Sequence, residues 1–177
     1  MQQPFRVGVV GLGDISDVYL DNLKNHGDIV EVAAVAARRL EAAEAKAAQH
    51  GVEKAYATAE HLIADPDIDI VLNLTTPEAH TPLNLAALEV GKHVYTEKPL
   101  GATFAEGKQM MDLATENGLV VGCAPDTFLG GRLQTCRRLI DDGTVGSVVG
   151  AGAWVVSHGH ETFHPSPGFF YLSLIHI

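Results

Sequence analysis

Apolar positions in this chain fall into short dense runs, each followed by a stretch with helical spacing. Residues 6–10 predict a strand and 14–25 a helix. Residues 30–35 predict the next strand, and 40–50, rich in Ala and Glu, the next helix. A short strand at 55–56 precedes a helix at 59–64. The β-branched run 68–74 predicts a strand, followed by a helix at 79–90. A strand at 93–96, a helix at 104–117 and a strand at 119–123 complete the series. Such alternation implies parallel strands joined by helical crossovers and buried on both faces. The predicted class is α/β, a doubly wound parallel sheet.

Local chemistry marks several boundaries. Asn117-Gly118 and Val90-Gly91 end helices, because Gly and Asn accept the left-handed conformation there. Thr103, with Glu106 three residues on, is a capping-box pattern. Asp65-Pro66-Asp67 is a turn ahead of a strand. After Pro125 the rhythm stops. Residues 128–142 read as one helix ended by Gly143, and 147–157, with Trp154, as a strand. A domain boundary is expected near Ala124. Residues 125–171 then begin a second domain whose one helix and one strand are too little to bury a core.

Of the 177 residues, 46% are hydrophobic, enough for a true core. The net charge of −10 repels phosphate backbones and anionic lipid, so neither nucleic acid nor a membrane surface is an expected partner. A local basic pocket for one phosphate remains possible. Cys123 and Cys136 are too few for a disulfide framework and fit no metal spacing, which favours a reduced, cytoplasmic setting. Residues 7–12 lack the flanks and length of a signal peptide, and no apolar stretch approaches a membrane span.

The first strand runs into Gly11-Leu12-Gly13-Asp14-Ile15-Ser16, a G-x-G-x-x-[small] sequence at a strand-to-helix turn. Gly11 permits the turn, Gly13 lets the backbone approach a pyrophosphate at the helix start, and Ser16 is small enough for close packing. The alternative is a plain glycine turn. The β-α-β context favours a Rossmann-type dinucleotide site, with residues 1–124 as its domain and Gly11, Leu12, Gly13, Asp14 and Ile15 along the cofactor. An acid that would bind the adenosine ribose is expected about 20 residues on. Ala36, Ala37, Arg38 and Arg39 stand there instead. Lack of an acid removes repulsion toward a 2′-phosphate, and Arg38 or Arg39 can pair with one, so NADP is expected ahead of NAD. The alternative is that both arginines are merely solvated helix-start charges.

Thr75, Thr76, Pro77 and His80 follow the fourth strand, and Glu97-Lys98-Pro99-Leu100 the fifth. Both segments fall at carboxyl ends of parallel strands, where open α/β sheets place ligands. Lys98 is sited as an acid or hydrogen-bond donor, and a cis bond before Pro99 would aim it into the cleft. The competing reading is an exposed surface turn. His158, His160 and His164 with Glu161 suggest a metal cluster, but polar pocket lining is the stronger reading, and no metal is expected.

Together with Gly91-Lys92-His93-Val94 and the stretch 125–141, these motifs resemble the Gfo/Idh/MocA oxidoreductases over about residues 6–171. The resemblance implies a nucleotide-binding domain followed by a substrate domain on a large, mostly antiparallel sheet, through which the full-length protein forms a homo-oligomer. It implies hydride transfer between a nicotinamide ring and a secondary alcohol of a sugar, polyol or related small molecule. Lys98 matches the lysine that contacts the reacting hydroxyl and relays its proton. Glu97 matches the acid shaping the nicotinamide end, and Thr76, Pro77 and His80 match the cofactor-lining segment. The absent acid at Ala37 departs from NAD-type members.

The family's other proton-relay residues follow a segment that here reads 164–171, so none can be assigned. Residues 172–177 break from family-like text and can be read back into codons as a transposase end of sequencing-library adapters. The expectation is an adapter-derived tail on an amino-terminal fragment without activity of its own. Two other functions stay open: a non-catalytic nucleotide-binding sensor on the same fold, and an NAD-dependent glycosidase of the same family.

Overall fold

The computed structural model describes residues 3–125, 127–154, 156, 158 and 159. The chain divides into two units, Met1–Pro125 and Asp126–Ile177. In the first unit, strands and helices alternate as the hydrophobic pattern requires. The order is β1 (Phe5–Val10), α1 (Ser16–Lys24), β2 (Val30–Ala36), α2 (Leu40–His50), β3 (Lys54–Tyr56) and α3 (Ala59–Ile63). Then come β4 (Ile70–Asn73), α4 (Pro77–Glu89), β5 (His93–Thr96), α5 (Phe104–Glu116) and β6 (Val121–Cys123). The six strands form one sheet in the order β3-β2-β1-β4-β5-β6, parallel throughout. Direction of winding reverses between β1 and β4, the place where such sheets open a crevice. No helix among the described residues is long and apolar enough to cross a membrane.

Side chains two apart on a strand share a face. Val7, Val9, Val35 and Leu72 therefore pack with Leu20 of α1 and Ala47 of α2. On the other face Val10, Ala34, Ala36 and Val71 meet Leu62 of α3, Leu88 of α4 and Met110 of α5. Gly8 lies on this second face, where an added Cβ would stand 2.5 Å from Leu62 Cδ2. A bare backbone at Gly8 lets α3 lie close against the central strand.

Several boundaries differ from the sequence expectation. α1 begins at Ser16, leaving Gly13 and Asp14 in the loop. α4 begins at Pro77, whose fixed φ suits the first helical turn. β4 is shorter than the apolar run that predicts it, since Ile68 is buried in the preceding turn. Thr103 and Glu106 form the expected reciprocal capping box at α5.

In the second unit the expected single helix is broken. Thr127–Leu129 is a 3-10 turn, Gly130 is extended, and α6 (Gly131–Asp141) follows with no buried residue. Residues 147–154 and 156 form no strand. A strand needs a neighbour to complete its ladder, and no described segment of this unit supplies one. His160, Glu161 and His164 of the suggested metal cluster, the 164–171 segment and the 172–177 tail lie outside the described residues.

The amino-terminal edge of the sheet is held by charge. Lys92, buried at the start of β5, donates to the carbonyls of Asp65 and Ile68, each at 2.7 Å. Burial pushes its ammonium below the ordinary 10.5. Asp65 accepts from Lys54 Nζ and Tyr56 Oη, both at 2.9 Å, and from the Asp67 amide at 3.0 Å. Burial opposes ionisation of Asp65, but these donors outweigh it and hold the carboxyl at about 2, below the ordinary 3.8.

A depressed native pKa contributes stability that is present above the unfolded value and lost as pH falls through the native one. Asp65→Asn is therefore expected to lower the melting temperature at neutral pH by roughly 5 °C. The gap from wild type should narrow as pH drops from 3.8 toward about 2. Calorimetric melting across that range checks this, and equal melting temperatures at neutral pH would contradict it.

Candidate functional site

At the carboxyl ends of the strands, the β1–α1 turn is fixed by an absence of space. Gly11 has φ +91°, and a Cβ there would lie 2.7 Å from both Leu74 C and Thr75 N. Its amide donates to Ala36 O at 3.1 Å, while the Leu74 amide donates to Val10 O at 2.8 Å. Gly13 is different: nothing lies within 4 Å of the Cβ it lacks. One glycine fits against protein and the other faces open space. Ser16 is fully buried, and its hydroxyl donates to Gly13 O at 2.6 Å, holding the loop to the helix it opens.

α1 starts without a side-chain cap; the Ser16 amide donates to Gly13 O at 3.0 Å, and an anion would meet the amides that follow it. Asp17 in that turn is engaged elsewhere, with Lys46 Nζ at 2.6 Å and His50 Nε2 at 2.7 Å. The Lys46 hydrogen bond, then that of His50, holds its carboxyl below the ordinary carboxylate range. Leu12 is half-buried, whereas Asp14 and Ile15 are exposed. β2 ends on the buried Ala36 and is followed by the half-buried Ala37, so no carboxylate stands at the strand end. Arg38 and Arg39 are exposed, and their guanidinium groups make no ion pair among the described residues.

Behind the β4 loop lies a buried polar layer that sequence inspection did not find. Asn73 Oδ1 accepts from the Thr75 amide at 3.1 Å and the Thr75 hydroxyl at 2.6 Å, and its Nδ2 donates to Asn84 Oδ1 at 2.8 Å. A usable signal existed, since Asn73 closes an apolar strand run with a group that must find partners when buried. Thr76 is exposed and Pro77 half-buried at the start of α4. His80, expected along the cofactor, is instead completely buried. Its Nδ1 lies 2.8 Å from Pro99 O and its Nε2 3.1 Å from Thr75 O. Both partners are acceptors, so a doubly protonated ring serves both and a neutral ring one. His80 ties the β4 loop to the β5 loop from behind, rather than lining the cleft.

The Lys98–Pro99 bond is cis. The Glu97 amide donates to Asn73 O at 2.9 Å. Its carboxylate accepts from Tyr19 Oη at 2.8 Å through Oε1 and from the Lys98 amide at 3.0 Å through Oε2. Lys98 is exposed, and its ammonium has no partner among the described residues. Cys123 is half-buried beside Glu97 O; burial first, and then the Glu97 charge, pushes its thiol up and away from nucleophilic character. Tyr19 had no sequence signal, because its partner lies 78 residues away.

The sheet thus brings Gly11–Gly13, Thr75–Pro77 and Glu97–Lys98 to its carboxyl edge around the switch point, with Arg38 and Arg39 beyond β2. The spacious side of Gly13 and the uncapped helix start fit the diphosphate of a dinucleotide.

Comparison with known proteins agrees with this geometry. Residues 5–124 match the Gfo/Idh/MocA family, described as "Oxidoreductase family, NAD-binding Rossmann fold". The chain is 30% identical over 141 residues to myo-inositol 2-dehydrogenase of Thermotoga maritima, covering 80% of this chain and 42% of that protein. It is 34% identical over 125 residues to 1,5-anhydro-D-fructose reductase of Ensifer adhaerens, covering 71% of this chain and 37% of the relative. It also resembles the WlbA dehydrogenase of Bordetella pertussis, solved with NADH and UDP-GlcNAcA. There the TM-score is 0.75 at 25% identity, covering 81% of this chain and 43% of that one. The chain therefore spans about 40% of the length of these relatives. On its sequence match and its sheet, it belongs to the Gfo/Idh/MocA oxidoreductase family.

Proposed function

We propose that this chain forms the cofactor-binding part of a dehydrogenase that prefers NADP and oxidises a secondary alcohol of a sugar, polyol or related small molecule. The carrying observation is the presence, on one sheet edge, of an open phosphate loop at Gly13 and an exposed, unpaired Lys98. A sensor needs the first and has little use for the second. Gly11, Leu12, Gly13, Asp14 and Ile15 bind the diphosphate, with the α1 amides toward it. Thr75, Thr76, Pro77 and Glu97 shape the far end of the cleft. A bound nicotinamide supplies hydride acceptance. Lys98 contacts the reacting hydroxyl and takes part in moving its proton, while His80 and Tyr19 keep its loop in place. The sugar-like substrate class is supported by the names of the relatives from Thermotoga maritima and Ensifer adhaerens.

Preference for NADP rests on Ala37, which presents no carboxylate, and on the free guanidinium groups of Arg38 and Arg39. Calorimetric titration of the chain is expected to give tighter binding of NADPH than of NADH. Arg38→Ala, with Arg39 intact, should weaken NADPH by roughly tenfold, the scale of one charge-assisted hydrogen bond, and leave NADH unchanged. A preference for NADH would refute this assignment.

Catalysis by Lys98 is testable in a chimera in which residues 5–124 replace the matching part of the Thermotoga maritima relative. Lys98→Met should lower kcat by about 10²-fold or more, the usual scale for an acid–base group. Dinucleotide affinity should hold steady. Near-normal turnover removes Lys98 from the reaction.

A further inference from the structure

Glu97 is held from an unexpected direction. Its carboxylate receives the hydroxyl of Tyr19, on the second turn of α1, at 2.8 Å. Its other oxygen receives the Lys98 amide at 3.0 Å. Both carboxylate oxygens are therefore committed, one to α1 and one to the backbone of Lys98. From the opposite side His80 Nδ1 meets Pro99 O at 2.8 Å. Residues 97–99 are pinned at three consecutive positions, and only the Lys98 side chain projects without a partner among the described residues.

The same α1 begins at the glycine loop. Ser16, its first residue, bonds to Gly13 O, and Tyr19 lies three residues on, about 4.5 Å along the axis. In a doubly wound sheet the β1–β2 side takes one mononucleotide half and the β4–β5 side the other. Tyr19 therefore joins the diphosphate end of the cleft to the end where Lys98 stands.

We propose that Tyr19 is a positioning residue: its phenol fixes the Glu97 carboxylate, and through it the Lys98 backbone, so that one helix sets both the phosphate cradle and the place of Lys98. This role rests on the function proposed above, since it needs a ligand that spans both ends. It predicts that loss of the hydroxyl disturbs the far half of the ligand and spares the adenosine half.

The test uses the 177-residue chain and its Tyr19→Phe variant, which keeps the ring. Amide hydrogen exchange followed by NMR should show Lys98 exchanging roughly tenfold faster in the variant, with the amides of β5 unaltered. In a Glu97→Ala background, Tyr19→Phe should add nothing further. Calorimetric titration should show NADPH weakened roughly five- to tenfold, while 2′,5′-ADP, the adenosine half alone, stays within about twofold. A merely structural role would weaken both ligands alike. Unchanged Lys98 exchange, or parallel loss of both ligands, overturns the role of Tyr19. Failure of the wild-type chain to bind either ligand overturns the functional reading instead, and with it the purpose of the contact. Should Tyr19→Phe not fold, Glu97→Ala with Tyr19 intact is expected to reproduce the selective loss of NADPH, and failure to do so overturns the proposal.

Discussion

The exit of β1 lies against the Leu74–Thr75 peptide so closely that a single methyl at Gly11 would overlap backbone atoms at 2.7 Å. Neither partner is the movable end of a side chain, so neither can give way cheaply. With φ at +91°, Gly11 also occupies a region that costs other residues roughly 1–2 kcal/mol. This contact brings the β1 and β4 loops together at the switch point. From there the ladder continues past the strand ends. The Leu74 amide reaches Val10 O, the Glu97 amide reaches Asn73 O, and the Ala124 amide reaches Thr96 O. Each loop of the cleft thus leaves the sheet from a height set by its neighbour.

A second layer of constraint is polar and buried. Asn73, Asn84 and His80 are fully buried, and together they hold the Thr75 and Pro99 segments. The network is not fully satisfied, since Asn84 Nδ2 is buried with no hydrogen-bond partner among the described residues, a cost carried alongside bonds that specify one arrangement. That trade suits a cleft whose loops present backbone and a lysine to a ligand. Apolar packing alone tolerates shifts that would move Lys98 relative to Gly13.

The parts of this design that were legible in the sequence are those written over short distances. Alternating apolar runs, the glycine spacing, the Thr103–Glu106 cap and the Asp65–Asp67 turn each depend on residues within one element or turn. Helix starts were less legible, because Ser16 and Pro77 compete with flanking residues that could equally begin the helix. The long helix at 128–142 was over-read, since Gly130 adopts an extended backbone and divides it. The 147–157 strand was read from composition, Val and Gly with Trp154, which says nothing about a ladder partner. Least legible were His80 and Tyr19. One looked like a ligand contact because it follows the carboxyl end of the fourth strand in a family-like segment, and its burial depends on α4 closing over two loops. The other looked like an ordinary helix position, and its partner is decided only when the β5 loop arrives beside α1.

The same geometry reconciles a phosphate-binding cleft with a net charge of −10. Overall charge acts at long range and is screened within about 10 Å in physiological salt, so the site depends on its immediate groups. Asp17, in the first turn of α1, would repel a diphosphate if free. From α2, Lys46 pairs with it at 2.6 Å and His50 Nε2 stands 2.7 Å from the same oxygen. Each oxygen of Glu97 accepts one hydrogen bond, from the Tyr19 hydroxyl and from the Lys98 amide. Asp14 and Glu78 remain exposed to solvent, where water screens them. The cations are treated in the opposite way. Arg38, Arg39 and Lys98 have no ion-pair partner among the described residues, although Lys46, Lys54 and Lys108 all do. Of the acids near the cleft, Asp17 and Glu97 are engaged and Asp14 and Glu78 are left to solvent, while the bases Arg38, Arg39 and Lys98 are open. A surplus of acids over the whole chain is thereby compatible with a carboxyl edge that attracts an anionic ligand.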